Sequence, residues 1–209
     1  RRDAIAGDAS TRRYTRLIRG SERAILMQDP AGETAVFEKL ARHLTGLGLS
    51  APRVLAADHG KGLLLIEDLG DGLIARLSRD PETEKRLYTT ATDALIALHR
   101  HPAPPGLVQA DATVLARMTD LAFTEYGLNA GAADDAVALL EPILADHAMP
   151  AEIMILRDFH GENILDLPDR EGPARAGLLD FQDALVGHRA YDLVSLLRDV
   201  RRDLYPGTE

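Results

Sequence analysis

Apolar and polar residues alternate along the first third of the chain and afterwards recur at three- and four-residue spacing, so strands are predicted first and helices later. Between Thr11 and Asp29 two runs rich in strand formers, one ending at Arg19 and one restarting near Arg23, flank Gly20-Ser21. Glycine there supplies the positive φ of a tight turn, and a β-hairpin is predicted. Its first strand is entered through Ala6 to Thr11, small residues whose backbone can approach a ligand closely. Thr34 is a candidate cap for a helix with Val36, Phe37, Leu40, Ala41 and Leu44 at helical spacing, ended by Gly46 and Gly48. A second hairpin is predicted from Arg53 to Ala57 and Gly62 to Glu67, and Asp68-Leu69-Gly70-Asp71-Gly72 reads as a connector.

Beyond the connector the period is helical. Leu87, Ala91, Leu95 and Leu98 fall on one face, and Leu115 to Tyr126 and Asp135 to His147 carry similar stripes. A small strand insert follows: Ile153 to Leu156, a polar turn, Ile164 to Leu167, a charged Pro/Gly loop, then Ala176 to Phe181. A last amphipathic segment, Ala190 to Val200, turns Leu193, Leu196 and Leu197 toward a core. The expected organisation is α+β: a small antiparallel sheet with one helix over residues 1–70 and a mostly helical part over residues 71–209, without internal repeats.

The 209 residues suffice for one domain or two small lobes, and 45% hydrophobic against 27% charged residues is an ordinary folded composition. A net charge of -9 works against binding phosphate backbones or anionic lipid, so neither nucleic acid nor a membrane is an expected partner. The absence of cysteine removes disulfides, thiolate metal sites and cysteine nucleophiles together, leaving chemistry to carboxylates, amides and histidines. No apolar run approaches the roughly 20 residues that cross a bilayer, and Arg1 to Ser10 lack a signal peptide's apolar core, which points to the cytoplasm.

The chemistry concentrates in Arg157-Asp158-Phe159-His160-Gly161-Glu162-Asn163 and in Leu179-Asp180-Phe181. An Asp, four residues, an Asn and a second Asp at a strand's end suit phosphoryl transfer. That reaction needs a carboxylate to orient a hydroxyl and oxygen ligands for magnesium bridging the phosphates of ATP. An amide oxygen beside one carboxylate ligates the metal without adding a second negative charge near the nucleotide. Asp, Gly and Asn are also common turn residues, so the Asp-x4-Asn spacing alone is weak. The argument rests on the ordered set of three.

Asp158 to Asn163 resembles the catalytic loop of the protein-kinase-like fold, and Asp180-Phe181-Gln182 stands where protein kinases have Asp-Phe-Gly. With Gly187-His188 and Ala190-Tyr191-Asp192-Leu193, the pattern resembles the aminoglycoside phosphotransferase and choline kinase superfamily. The runs Gly7 to Tyr14, Leu64 to Gly70 and Tyr191 to Leu197 look most like its bacterial cell-wall amino-sugar kinases, which act on N-acetylmuramate and N-acetylglucosamine. The resemblance implies a two-lobed fold, with Asp158 as catalytic base and Asn163 and Asp180 as magnesium ligands. It implies a nucleotide site from Ser10, Thr11, Arg12 and Arg13 at the phosphates and the backbone of Glu67 and Leu69 at adenine. Asp192 would brace the catalytic loop, and His160 and Asp183 are candidates for the acceptor pocket. The cofactors implied are ATP and Mg2+, and the partner is a small molecule, an amino sugar preferred.

The pattern departs from such kinases in three ways. Leu156 occupies the place of the His that precedes the catalytic Asp in protein kinases. Ala24-Ile25-Leu26-Met27 replaces the Val-Ala-Ile-Lys strand whose Lys pairs with the phosphates, so Arg12 or Arg13 is expected to reach in, and Glu38 reads as an exposed helix residue without an ion-pair partner. Such relatives also continue beyond the Asp-Phe-Gln segment with helices that wall the substrate site. Aminoglycoside modification, a nucleotide-binding pseudokinase and a structural helical domain remain alternatives.

Overall fold

The computed structural model of the chain describes residues 1–5, 12–125 and 130–209. It opens with strands β1 (Arg2–Ile5), β2 (Arg13–Arg19) and β3 (Glu22–Gln28), helix α1 (Thr34–Gly46), and strands β4 (Val54–Asp58) and β5 (Leu63–Glu67). These five strands form one antiparallel sheet in the order β1-β2-β3-β5-β4. Both predicted hairpins are present, and Gly20 turns the first at φ +60°. The edge strand β1 was not anticipated; it has four residues and carries charge at Arg2 and Asp3.

Register decides which face of the sheet does what. Met27 pairs with Leu64 and Ile25 with Ile66, and all four are buried, so this is the inner face. Tyr14 stands opposite Met27 and Arg16 opposite Ile25, which puts both on that same face. At the end of β3 the chain crosses the start of β5 so closely that a Cβ on Gly62 would lie 2.2 Å from the Asp29 carbonyl oxygen. Only glycine fits there, and it also holds the φ of +65° that the turn requires.

Helix α1 buries Phe37, Leu40, Ala41 and Leu44 as its spacing predicts, while Val36 stays outside. Thr34 does not cap it. Its hydroxyl turns inward to His59 Nδ1 at 2.9 Å, and the cap position, Glu33, makes no side-chain cap.

Helices α2 (Ile74–Leu77), α3 (Pro81–Leu98), α4 (Ala112–Arg117), α5 (Asp120–Thr124) and α6 (Ala133–His147) follow. The stripe expected from Leu115 to Tyr126 divides into α4 and α5 at Met118-Thr119, and Tyr126 lies outside the described residues. Next come β6 (Ile153–Ile155), β7 (Ile164–Asp166), β8 (Ala176–Leu178), β9 (Leu185–Gly187) and α7 (Tyr191–Leu197). β7 and β8, two strands of the predicted insert, pair antiparallel, whereas β6 pairs with β9, a three-residue strand with too short a pattern to be read. In α7 Leu196 is buried, but Leu193 faces outward, contrary to expectation. No helix among the described residues is long and apolar enough to cross a membrane.

One apolar cluster joins Met27, Leu64 and Ile66 of the sheet to Phe37 and Leu40 of α1, Leu87 and Leu95 of α3, and Phe181. Phe37 and Phe181 meet with ring centroids 4.9 Å apart, a contact that couples α1 to the segment carrying Asp180. The C-terminal segment is fastened by a buried acid: Glu84 of α3, fully buried, accepts from Arg202 Nη2 at 2.5 Å, Tyr205 N at 2.7 Å and Thr208 Oγ1 at 2.8 Å. Glu84→Ala would leave the Arg202 guanidinium without its carboxylate. A stability loss of about 3–5 kcal/mol is expected in urea unfolding, and an unchanged midpoint would refute this account.

Candidate active site

The chain leaves β6 through Leu156, which is buried, and turns at Arg157, whose φ is +70°. Such a conformation is costly for a residue with a Cβ and persists only where its surroundings enforce it. Here Asp192 enforces it: Oδ2 accepts from the N–H of Leu156 at 2.7 Å and Oδ1 from that of Arg157 at 3.0 Å. The next residue, Asp158, is half-buried. Asn163 closes the loop by donating from Nδ2 to the Asp158 carbonyl at 3.0 Å. Its own carbonyl accepts from Leu179 N at 3.0 Å, which fixes Asp180 beside it, with 3.4 Å between Asn163 Nδ2 and Asp180 Oδ2. Asp180 also has positive φ, +54°. Among the described residues the two non-glycine residues at positive φ are therefore Arg157, next to the expected base, and Asp180.

Burial drives the electrostatics of the brace. It pushes the Asp192 carboxyl up to about 6; the N–H groups of Leu156 and Arg157 pull it back down and the Asp158 charge adds to the rise. At the loop itself, Gln182 Nε2 donates to Asp180 Oδ1 at 2.5 Å and lies 3.3 Å from Asp183 Oδ2. No group of three or more His, Cys, Asp or Glu able to hold a metal occurs among the described residues. One amide and one carboxylate side by side are the oxygen donor set of a hard ion that brings most of its ligands with it. That fits magnesium arriving with nucleotide phosphates, because the ion keeps few protein ligands in such sites.

The other expected site residues divide. Ser10 and Thr11, with Gly7 to Ala9, lie outside the described residues. Arg12 reaches Asp29 (Nε to Oδ2, 3.2 Å) and Glu33 (Nη2 to Oε2, 2.6 Å), whereas Arg13 is exposed. Glu67 gives its N–H to the Arg53 carbonyl at 2.8 Å, so an adenine contact from this residue falls to its carbonyl; Leu69 is half-buried in the connector. His160 is only 6% exposed, with Nε2 3.3 Å from Asn163 Nδ2, so it packs against the loop rather than standing in solvent. Asp183 is exposed. Glu38 corrects the expectation of a partnerless residue: it pairs with Arg42 at 2.5 Å and with His59 Nε2 at 2.9 Å, and its side chain is mostly covered.

Several residues at the cleft escaped sequence reasoning. Arg16 reaches from the inner face of the sheet to both carboxylate oxygens of Asp68 at 2.7 and 3.0 Å and to Asp71 at 2.8 Å, tying the sheet to the connector. Arg170, in the β7–β8 turn, reaches Glu67 at 2.7 Å. The only sequence signal for either was an unexplained arginine. An open groove of about 470 Å3 runs between 68–72 and 166–170; it includes neither Asp158 nor Asp180 and borders the connector.

A five-stranded antiparallel sheet with one helix, followed by a largely helical part, is the kinase-like fold. Residues 2–207 match the model of the phosphotransferase enzyme family, APH, and the chain belongs to that family. An N-acetylmuramate/N-acetylglucosamine kinase of Caulobacter vibrioides is 38% identical over 253 residues, covering 100% of this chain and 70% of its own length. A kinase of the same name from Pseudomonas aeruginosa is 31% identical over 205 residues, covering 93% of this chain and 58% of its own length. A thermostable mutant of aminoglycoside phosphotransferase APH(4)-Ia, solved in a ternary complex with ADP and hygromycin B, superposes with a TM-score of 0.64 at 13% identity, covering 92% of this chain and 70% of that one. At that identity the likeness establishes the fold alone.

The brace makes a pH prediction. Asp192 binds a proton in the folded protein between its ordinary value of 3.8 and about 6, where the unfolded chain has released it. Stability from this group therefore falls as pH rises through that window and is constant above it. The difference in unfolding free energy between wild type and Asp192→Asn should shrink from pH 4 to 6, as urea titrations across pH would report. A difference that grows over the same range would contradict the assignment.

Proposed function

We propose that this chain carries the nucleotide-binding and phosphoryl-transfer machinery of an ATP-dependent kinase acting on a hydroxyl of a cell-wall amino sugar, N-acetylmuramate or N-acetylglucosamine. The sheet-rich part, residues 1–70, forms the nucleotide lobe, and residues 71–209 form the catalytic and substrate lobe of a cytoplasmic enzyme. The observation that carries the reading is the convergence of Asp158, Asn163 and Asp180 on one hydrogen-bonded loop, since the bond from Asn163 to the Asp158 carbonyl fixes base and ligand together. The amino-sugar assignment draws on the Caulobacter and Pseudomonas kinases, whose names state that substrate pair.

In this mechanism Asp158 accepts the proton of the sugar hydroxyl as that oxygen attacks the terminal phosphorus, and ADP leaves with the displaced oxygen. Asn163 and Asp180 supply oxygens to magnesium, which when bound neutralises charge on the phosphates. The αL backbone of Asp180 and the Gln182 contact aim its carboxylate before substrate arrives, so little reorganisation is needed during transfer. The carbonyl of Glu67 and the backbone of Leu69 meet adenine.

The test is ADP release by the full-length protein with ATP and Mg2+, offered N-acetylmuramate, N-acetylglucosamine, kanamycin or choline. Release is expected with the sugars. Asp158→Asn should cut it roughly 10²–10⁴-fold while ATP still binds, whereas Asp180→Ala should weaken binding of the magnesium nucleotide itself. Release driven by kanamycin would move the assignment to aminoglycoside modification. Nucleotide binding without turnover on any acceptor would favour a pseudokinase.

A further inference from the structure

The strand position that carries the phosphate-binding lysine in protein kinases holds Met27 here, and its side chain is completely buried. A thioether in the core cannot meet a phosphate. The helix acid Glu38 is occupied as well, by Arg42 and His59. A kinase of this construction still has to offset the charge of a nucleotide triphosphate with more than magnesium. We propose that Arg12, held between Asp29 and Glu33, is the cation that meets the nucleotide phosphates, and that this trio replaces the strand-lysine and helix-glutamate pair. The inference rests on the kinase reading above and specifies how its nucleotide is gripped.

Position argues for it first. Asp29 follows Met27 by two residues and lies at the end of the strand that carries Ile25 and Met27 on the inner face, so Arg12, bonded to Asp29, sits at that end of the inner face. Glu33 stands at the start of α1, one helical turn before Phe37, and Phe37 packs on Phe181 beside Asp180. The Arg12 ion pairs thus join the sheet to the helix whose aromatic contact sets the magnesium-binding segment. Tyr14, opposite Met27, lies among these charges: burial raises its hydroxyl above the ordinary value, Arg12 pulls it back, and Asp180 and Asp29 push it further up. Arg13 is out of phase with Tyr14 and exposed, so it is the wrong one of the two arginines.

The burial of the three side chains shows how the trio works. Asp29 is 1% exposed and also accepts from the N–H groups of Ala31 at 3.0 Å and Glu33 at 3.2 Å, so it is a fixed anchor for Nε. Arg12 is 10% exposed. Glu33 is 54% exposed, and an ion pair that open to water is cheap to give up. Its carboxylate can yield the Nη2 edge to a phosphate oxygen while Asp29 keeps the guanidinium in place. A planar guanidinium with five donors can hold a carboxylate and a phosphate at once, which an ammonium does less well.

The experiment measures equilibrium binding of ATP, ADP and adenosine, with Mg2+ and no acceptor, to the full-length protein and to Arg12→Ala, Arg12→Lys, Glu33→Gln and Arg13→Ala, with thermal unfolding as a folding control. Arg12→Ala should weaken ATP and ADP about 10- to 100-fold and leave adenosine unchanged. Arg12→Lys should recover part of the loss, and Arg13→Ala should match wild type. Equal weakening of adenosine and ATP would reduce Arg12 to a structural role and overturn the proposal, as would unaltered ATP affinity. If Arg12→Ala unfolds, the ratio of ATP to adenosine affinity in Arg12→Lys and Glu33→Gln decides: a ratio equal to wild type in both overturns it. Because no acceptor is present, failure of the amino-sugar assignment leaves this result readable.

Discussion

The two oxygens of Asp192 take the N–H groups of Leu156 and Arg157, and the strained turn that presents Asp158 depends on that bond pair. A residue with a Cβ held at φ +70° relaxes unless something compensates, and two hydrogen bonds to a charged, buried acceptor do so. The arrangement has its own cost, since a carboxylate out of water is raised to about 6. The protein therefore keeps two unfavourable features, a strained backbone and a buried charge, each made tolerable by the other. From that turn the order propagates: Asn163 bonds back to Asp158, its carbonyl holds Leu179, and Asp180 follows in its own strained conformation.

Charged side chains then join the sheet to the rest. Arg16 ties the inner face to Asp68 and Asp71, Arg170 ties the β7–β8 turn to Glu67, and Arg12 ties the start of β2 to α1. These are arginines rather than lysines, as expected where one side chain must grip planar carboxylates with several donors. Apolar packing supplies the cohesion beneath them, with Phe37 on Phe181 as the point where helix α1 touches the segment that carries Asp180.

What was legible followed from local rules. The β2–β3 and β4–β5 hairpins were readable because alternation and the turn residues agree, and α3 because Leu87, Ala91, Leu95 and Leu98 keep one face of the helix. Short elements were not: β1 and β9 have four and three residues, and β9 pairs with a strand about thirty positions earlier. Thr34 misled because a threonine before an apolar stripe has the composition of a cap, and only the fold shows its hydroxyl turned to His59. The stripe assigned to one helix from Leu115 fits two short ones equally well.

The sequence by itself determined which side chains are at hand: an Asp, an Asn and an Asp in fixed order, in a chain without cysteine, leave carboxylates, amides and histidines and no thiolate. Spacing within a loop is a local property and survives without coordinates. The tertiary structure alone decided which charges meet. Arg12 finds Glu33 twenty-one residues away, Arg16 finds Asp68 fifty-two away, and Arg170 finds Glu67 more than a hundred away. Sheet register and the packing of the sheet on the rest of the chain set those encounters, and an ion pair depends on distance in space and on burial, neither of which periodicity along the chain contains.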